Sequence, residues 1–412
     1  MKKINRRTFI KAAAILTGGT FFAGCNDNLR EVAKNLDIKY LRQIITVDSS
    51  KSRCIMWQSD SKLNAPAVEI NGAKIPAVDS TFTDDGQEIF QYTAQIENLS
   101  PATEYQFKIV DGENFSKTFT FKTSYDKNFK AIIFSDSQSA DYKTWGEVAR
   151  AAFQKNPDAE FFVDLGDIVD NGEDRLQWQS WFTEIETPLK KLAFVPVLGN
   201  HECYNRDWKV RFPAAYINYF AVPDNGTKDF SRRFYSFDYG AAHFVILDSQ
   251  WDELEQFAPN LIETQKKWLR EDVAKTSKKW KIALIHKDVL QYRINGRPER
   301  AEGFSDVGVE FMPEFENLGF DVVFSAHLHT YRNRGRLKNF VDDDGGTLYI
   351  LTGLSGDVRY PNLWINHALD KVIAPQPETD NFLTLEVDEK ILSVKCFLPS
   401  GELIDEISLS KV

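Results

Sequence analysis

Five short apolar runs in this 412-residue chain each stop at a side chain able to bind a metal. Ala131-Ile132-Ile133-Phe134-Ser135 leads to Asp136. Phe161-Phe162-Val163 leads through Asp164-Leu165-Gly166 to Asp167. Residues 194–199 lead to Asn200, residues 282–285 to His286, and residues 322–326 to His327 and His329. Continuous apolar runs suit strands buried on both faces. In such sheets the ligand crevice lies beyond the carboxyl ends of the strands. The pattern therefore predicts one rim on which these side chains converge. Of the six histidines, four (His201, His286, His327 and His329) fall at these strand ends.

The donor types narrow the chemistry. Carboxylate oxygen, amide oxygen and imidazole nitrogen suit Fe, Zn or Mn and require no thiolate. One central carboxylate bridges two cations. Two cations about 3.5–4 Å apart clamp both the attacking and the leaving oxygen of a phosphoryl transfer.

Helical spacing at 145–153, 178–189 and 261–273 alternates with the apolar runs, so residues 128–412 read as an α/β (α+β) domain. The expected form is a two-sheet β-sandwich flanked by helices, with the strands near 348–353 and 382–387 finishing the second sheet. Residues 38–124 differ. Short alternating strands are separated by Asn71-Gly72, Asp84-Asp85-Gly86 and Asp111-Gly112, and no helical period occurs. This segment reads as a small all-β sandwich with Trp57 in its core. It carries no histidine and no acid cluster, so it reads as a spacer or a wall beside the site.

Charge excludes one partner class. The first 24 residues hold five basic side chains (Lys2, Lys3, Arg6, Arg7 and Lys11) and no acid, which leaves 45 basic against 60 acidic residues beyond them. Nucleic-acid backbones reward clustered Lys and Arg, so no nucleic-acid binding is expected. A small phosphorylated substrate suits a pocket in which bound cations invert the field. Cys54, Cys203 and Cys396 are too few and odd in number for a disulfide framework. The segment 5–11 resembles a twin-arginine export signal. The apolar stretch 12–23 is too short to span a bilayer, and Phe22-Ala23-Gly24-Cys25 resembles a lipobox. Residues 1–25 thus read as a signal segment and 26–37 as a tether. The expected location is the bacterial periplasm or a membrane surface, with Cys25 as the only lipid anchor.

The motif set resembles that of the calcineurin-like metallophosphoesterases. Gly166-Asp167, Gly199-Asn200-His201-Glu202, the lone His286 and His327-Leu328-His329 occur in the family's order. Thr330-Tyr331-Arg332 and the fibronectin type III-like sandwich, with a tyrosine-corner pattern at 99–105, resemble the purple acid phosphatase branch. The resemblance runs from about residue 40 to the C-terminus. It implies a first metal held by Asp136, Asp167 and His329. The second is held by Asp167, Asn200, His286 and His327, with Asp167 bridging. Asp167, Asn200 and His201 are then the catalytic group. His201 also binds the substrate phosphate and stabilises the transition state or protonates the leaving oxygen. Tyr331 and Arg332 orient the histidines. The implied reaction is hydrolysis of phosphate monoesters by in-line attack of a metal-bound hydroxide. The alternatives are a phosphodiesterase acting on nucleotides or phospholipid head groups, and a surface binding protein whose catalytic core has decayed.

Three positions depart from that family, the smallest change being Ala326 in place of the glycine usual before the histidine pair. Asp136-Ser137-Gln138 replaces Asp-x-His, and Asp170 stands where purple acid phosphatases carry the tyrosine that colours them. A colourless protein is expected, with Gln138 or Asp170 as the candidate fourth ligand of the first metal. Asp170 also suits a turn before Asn171-Gly172. Arg297, in a loop with Arg293 and Arg300, is a candidate phosphate contact, the alternative being a solvated loop. Tyr204 and Asn205 are candidate pocket walls. His243 reads as structural and Cys203 as a bystander; Asp248, at a strand end, is a weak candidate to support the ligands from behind, and His367 has no motif around it.

Overall fold

The computed structural model describes residues 35–125 and 127–411. The expected signal segment, Cys25 and most of the tether lie outside these residues. In the N-terminal region, strands Lys39–Ile44, Arg53–Ser59 and Gln87–Ile96 pair antiparallel. They face a second sheet of Ala73–Pro76, Pro66–Ile70, Glu104–Asp111 and Phe119–Lys122. Trp57, Val68, Tyr92, Phe107 and Phe121 fill the space between the sheets. The tyrosine corner forms as expected: the Tyr105 hydroxyl accepts the Ser100 N–H at 2.8 Å.

The first of these sheets does not end at the sandwich. Lys39–Ile44 pairs in parallel with Ala193–Pro196, matching Gln43 to Ala193 and Ile44 to Phe194. The sheet continues through Phe161–Asp164, Phe129–Phe134 and Phe382–Val387 to Ile391–Phe397 and Leu403–Ser410. A second large sheet orders Tyr235–Tyr239, Ala242–Leu247, Trp280–Ile285, Val322–Ser325, Thr347–Leu351 and Arg332–Lys338. Strand alternation assigns the faces. Phe129 and Phe161 meet Phe244 of the second sheet at ring separations of 5.8 and 5.7 Å. Phe134 turns the other way, onto Trp145 of helix Lys143–Lys155. Phe194 likewise meets Trp181 of helix Arg175–Glu184. Both faces of these strands are buried, which is why their sequences are apolar throughout.

The structure differs from the sequence reading at three elements. The stretch 178–189 is not one helix: it breaks at Ile185 into Arg175–Glu184 and Glu186–Leu189. Phe382–Val387 joins the first large sheet, antiparallel to Phe129–Phe134, rather than the second. Helix Asp306–Leu318 was not expected, because Gly308 and Pro313 interrupt its pattern. Its ends are well defined all the same: the Ser305 hydroxyl accepts the Gly308 N–H, and left-handed Gly319 closes it.

Candidate metal centre

The strand ends converge as their sequence positions predict. One ligand atom each from Asp167, His286 and His327 lies within 4.8 Å of the others, and the same holds for Asp136, Asp167 and His329. Asp167 is common to both groups. His286 Nε2 stands 3.2 Å from Asp167 Oδ2 and 3.1 Å from Asn200 Oδ1, which adds the asparagine to the first group. His329 Nε2 stands 3.6 Å from Asp136 Oδ1.

The backbone around these residues is bent to serve them. Asp136, Asp167, His327 and His329 all have φ between 49° and 77°. Left-handed backbone costs a non-glycine residue about 1–3 kcal/mol and persists only where its surroundings enforce it. Gly166 (φ +98°) and Gly199 make the approach possible: a Cβ on Gly199 would overlap the Asp167 amide nitrogen and carboxylate. Glu202 ties the two loops together. Its buried carboxylate accepts N–H groups from Asp167 at 3.0 Å, Ile168 at 2.8 Å, Val169 at 3.2 Å and Gly199 at 2.8 Å. Behind Asp136, Ser137 Oγ donates to Asp164 Oδ2 at 2.6 Å and accepts from the Trp181 indole.

The residues fit a pair of cations. His286 Nδ1 lies 2.9 Å from the Leu165 carbonyl and His329 Nδ1 lies 2.7 Å from that of Val358. Each carbonyl fixes the tautomer that leaves Nε2 as a lone-pair donor. Asp136 Oδ2 and His327 Nδ1 are buried without a hydrogen-bond partner among the described residues. Buried polar atoms of this kind call for a ligand. Charge agrees. Burial pushes the Asp167 carboxyl up, but His286, His201 and His327 outweigh it and hold the group below the usual carboxylate range. Burial lowers His286, and Asp167 and Asp136 lift it to about 9. Cations that displace these imidazole protons would take over the charge balance.

His201 stands at the edge of the donor groups. Its backbone N–H donates to Asp167 Oδ1 at 2.9 Å, and its ring Nδ1 lies 2.7 Å from the Asp170 carbonyl. Nε2 therefore faces the site, 4.0 Å from Asp167 Oδ2. Burial opposes its charge, but Asp167 and the Asp170 carbonyl raise it above an ordinary histidine.

Three sequence expectations need correction. Asp170 belongs to neither donor group, because its carboxylate turns to His201 Nδ1 at 3.5 Å. Tyr331 does not orient a histidine: its hydroxyl donates to Asp405 at 2.7 Å. Arg332 does not either, since its guanidinium pairs with Asp370 at 2.6 Å. Arg297 is exposed, and among the described residues its side chain makes no hydrogen bond or ion pair. Gln138 is buried, with its amide nitrogen 3.3 Å from His201 Nε2 and its oxygen unpartnered.

Tyr204 and Asn205 lie beside His201. The Tyr204 ring is 5.9 Å away, and the Asn205 carbonyl is held by Asn171. His243 is clamped between Asp238 and Asp272. Asp248 pairs with Arg233 at 2.6 Å, and the His367 ring nitrogen lies 3.1 Å from the Gly303 carbonyl. Cys54, Cys203 and Cys396 are all buried and free. The sequence reading gave no role to Glu202, Trp208 or Tyr360. The Tyr360 ring packs on His329 at 4.9 Å. Only Glu202 carried a signal, its place directly after Asn200-His201.

A calcineurin-like phosphoesterase model matches residues 129–331, and a purple acid phosphatase N-terminal domain model matches residues 41–123. Purple acid phosphatase 15 of Arabidopsis thaliana is 30% identical over 207 residues, 49% of this chain and 36% of that protein. Acid phosphatase type 7 of Mus musculus is 24% identical over 323 residues, 69% of this chain and 70% of its own length. The chain spans little more than a third of the plant relative's length. Among solved structures, a purple acid phosphatase from yellow lupin seeds (Lupinus luteus) superposes with a TM-score of 0.74 at 19% identity. It covers 90% of this chain and 74% of that one. PhoD superposes at 0.63 and 11% identity, over 92% of this chain and 94% of its own. These two likenesses concern the fold.

Proposed function

Because this chain belongs to the calcineurin-like phosphoesterases, carrying a purple acid phosphatase N-terminal domain ahead of the family's own, we propose that it is an exported, two-metal hydrolase of phosphate monoesters. The carrying observation is that Asp167 is shared by two groups of donors, all buried but the half-buried His327, with His201 beside it. Asp136, Asp167 and His329 would hold one cation, and Asp167, Asn200, His286 and His327 the other. A bound pair supplies an acidified water and neutralises charge developing on the phosphoryl oxygens. The chain's own residues do the rest. Asp167 and Glu202 fix the spacing of the two donor loops. His201, held through Nδ1 by a backbone carbonyl, presents Nε2 to the phosphoryl group and holds a proton for the departing alcohol oxygen. General acid catalysis of this kind is worth about 10²–10⁴-fold. The names of the matched relatives support a monoester substrate.

The test is hydrolysis of an aryl phosphate by Asp167→Asn and His201→Ala, beside metal content by elemental analysis. Asp167→Asn is expected to lose metal and activity together. His201→Ala should keep its metal and lose about 10²–10⁴-fold in rate. Unchanged rates in both variants would overturn the site. A matched diester hydrolysed faster than its monoester would overturn the substrate class. Export rests on the basic, apolar and cysteine-terminated start of the sequence. It is tested by cell fractionation of the full chain and of Cys25→Ala, which should leave the membrane fraction. A cytoplasmic full chain would refute export.

A further inference from the structure

Trp208 is 56% exposed and stands at the edge of the donor groups, beside His201. Its ring stands 5.8 Å from that of His201, at 88°, and 6.1 Å from that of Tyr204. The backbone that presents it is left-handed, φ +61°, a conformation unfavourable for a bulky aromatic residue. Asn205 closes the turn beneath it. The Asn205 carbonyl accepts the Trp208 N–H at 2.9 Å, and its side-chain oxygen accepts those of Asp207 at 3.0 Å and Lys209 at 2.8 Å. Two arginines on the same loop are anchored from the N-terminal sandwich. Arg206 reaches Asp85 at 3.0 Å and Arg211 reaches Asp84 at 2.7 Å. A solvent-facing indole kept in strained backbone by this many contacts is not a loop residue left over from packing. Strain retained beside reacting groups points to use.

Building on the phosphoesterase reading, we propose that Trp208 is a specificity-determining residue, the stacking platform for substrates whose alcohol carries a planar aromatic ring. With the phosphoryl group at Asp167 and the ester oxygen within reach of His201 Nε2, that ring falls beside the indole. Stacking between flat rings is tolerant of their substituents, so the platform selects a class of leaving group rather than one compound.

The test compares the metal-loaded wild type with Trp208→Ala and Trp208→Phe on 1-naphthyl phosphate and glycerol 2-phosphate. Trp208→Ala is expected to raise KM for the naphthyl ester about tenfold more than for the glycerol ester, with Trp208→Phe restoring most of the difference. Calorimetric binding of 1-naphthylmethylphosphonate, which is not hydrolysed, should weaken by about the same factor in Trp208→Ala. Equal effects on both esters, or no effect on either, would overturn the platform. If neither ester is hydrolysed, the phosphoesterase reading falls and phosphonate binding decides this one alone. Equal affinities, or no binding to wild type, would then overturn it.

Discussion

Replacing Glu202 by glutamine changes one oxygen to an NH2 group, and the structure says what that does. The two carboxylate oxygens share four backbone donors: Oε2 takes Asp167 and Gly199, Oε1 takes Ile168 and Val169. The side chain is 1% exposed, so water cannot replace a lost acceptor. A glutamine keeps one acceptor atom and turns two N–H donors against another donor. A buried donor left unsatisfied costs about 1–3 kcal/mol, so Glu202→Gln should lose about 2–6 kcal/mol. The loss should occur with metal stripped away, because every contact counted is within the protein. It should also loosen the Asp167 and Asn200 loops and reduce metal retention. The assay is urea denaturation of the metal-free protein, paired with elemental analysis after dialysis. A midpoint unchanged within error, with metal retained as in wild type, would refute the claim that this carboxylate holds the two loops together.

Other perturbations follow from the same geometry. Gly199→Ala should fold poorly or bind little metal, since its Cβ would overlap the Asp167 amide and carboxylate; soluble yield and metal content check this, and wild-type values for both would contradict it. His243→Gln addresses a separate point. Burial lowers this histidine, but Asp238 at 2.8 Å and Asp272 at 3.0 Å lift it to about 9. Lys281, its register partner, turns its ammonium to the Leu318 carbonyl. A folded-state pKa above the unfolded value near 6.5 means the stabilisation is complete below pH 6.5 and disappears as pH climbs through about 9. The wild type should exceed His243→Gln in stability by roughly 1–3 kcal/mol at pH 6 and by nothing at pH 9.5. A pH-independent difference in melting temperature would show that the pairs do not act through charge.

Much of the site was legible because its candidate metal-binding residues end apolar strands. Asp136, Asp167, His286 and the histidine pair at 327 and 329 stand out by position alone, and strand geometry brings them together. What the sequence hid was orientation. Tyr331 and Arg332 follow the histidine pair after Thr330, but at the start of strand Arg332–Lys338 their side chains run to Asp405 and Asp370. Asp170 is three residues from Asp167, but its carboxylate faces His201 instead. Trp208 has no periodic pattern around it, because a turn built on Asn205 rather than on strand or helix displays it. Helix Asp306–Leu318 shows the opposite limit. Its Gly and Pro mask a period that tertiary burial of Phe311 and Phe315 enforces.

The parallel pairing of Lys39–Ile44 with Ala193–Pro196 makes the N-terminal sandwich part of the catalytic sheet's own lattice of hydrogen bonds. A truncation beginning after residue 124 would bare the edge of the strand that leads to Asn200, an invitation to edge-to-edge aggregation. It would also strip Asp84 and Asp85 from the loop that displays Trp208. Chimeras with other phosphoesterase cores would therefore have to carry that first strand and the 84–86 turn together, matched to the host's sheet edge, rather than treat the sandwich as an interchangeable cassette.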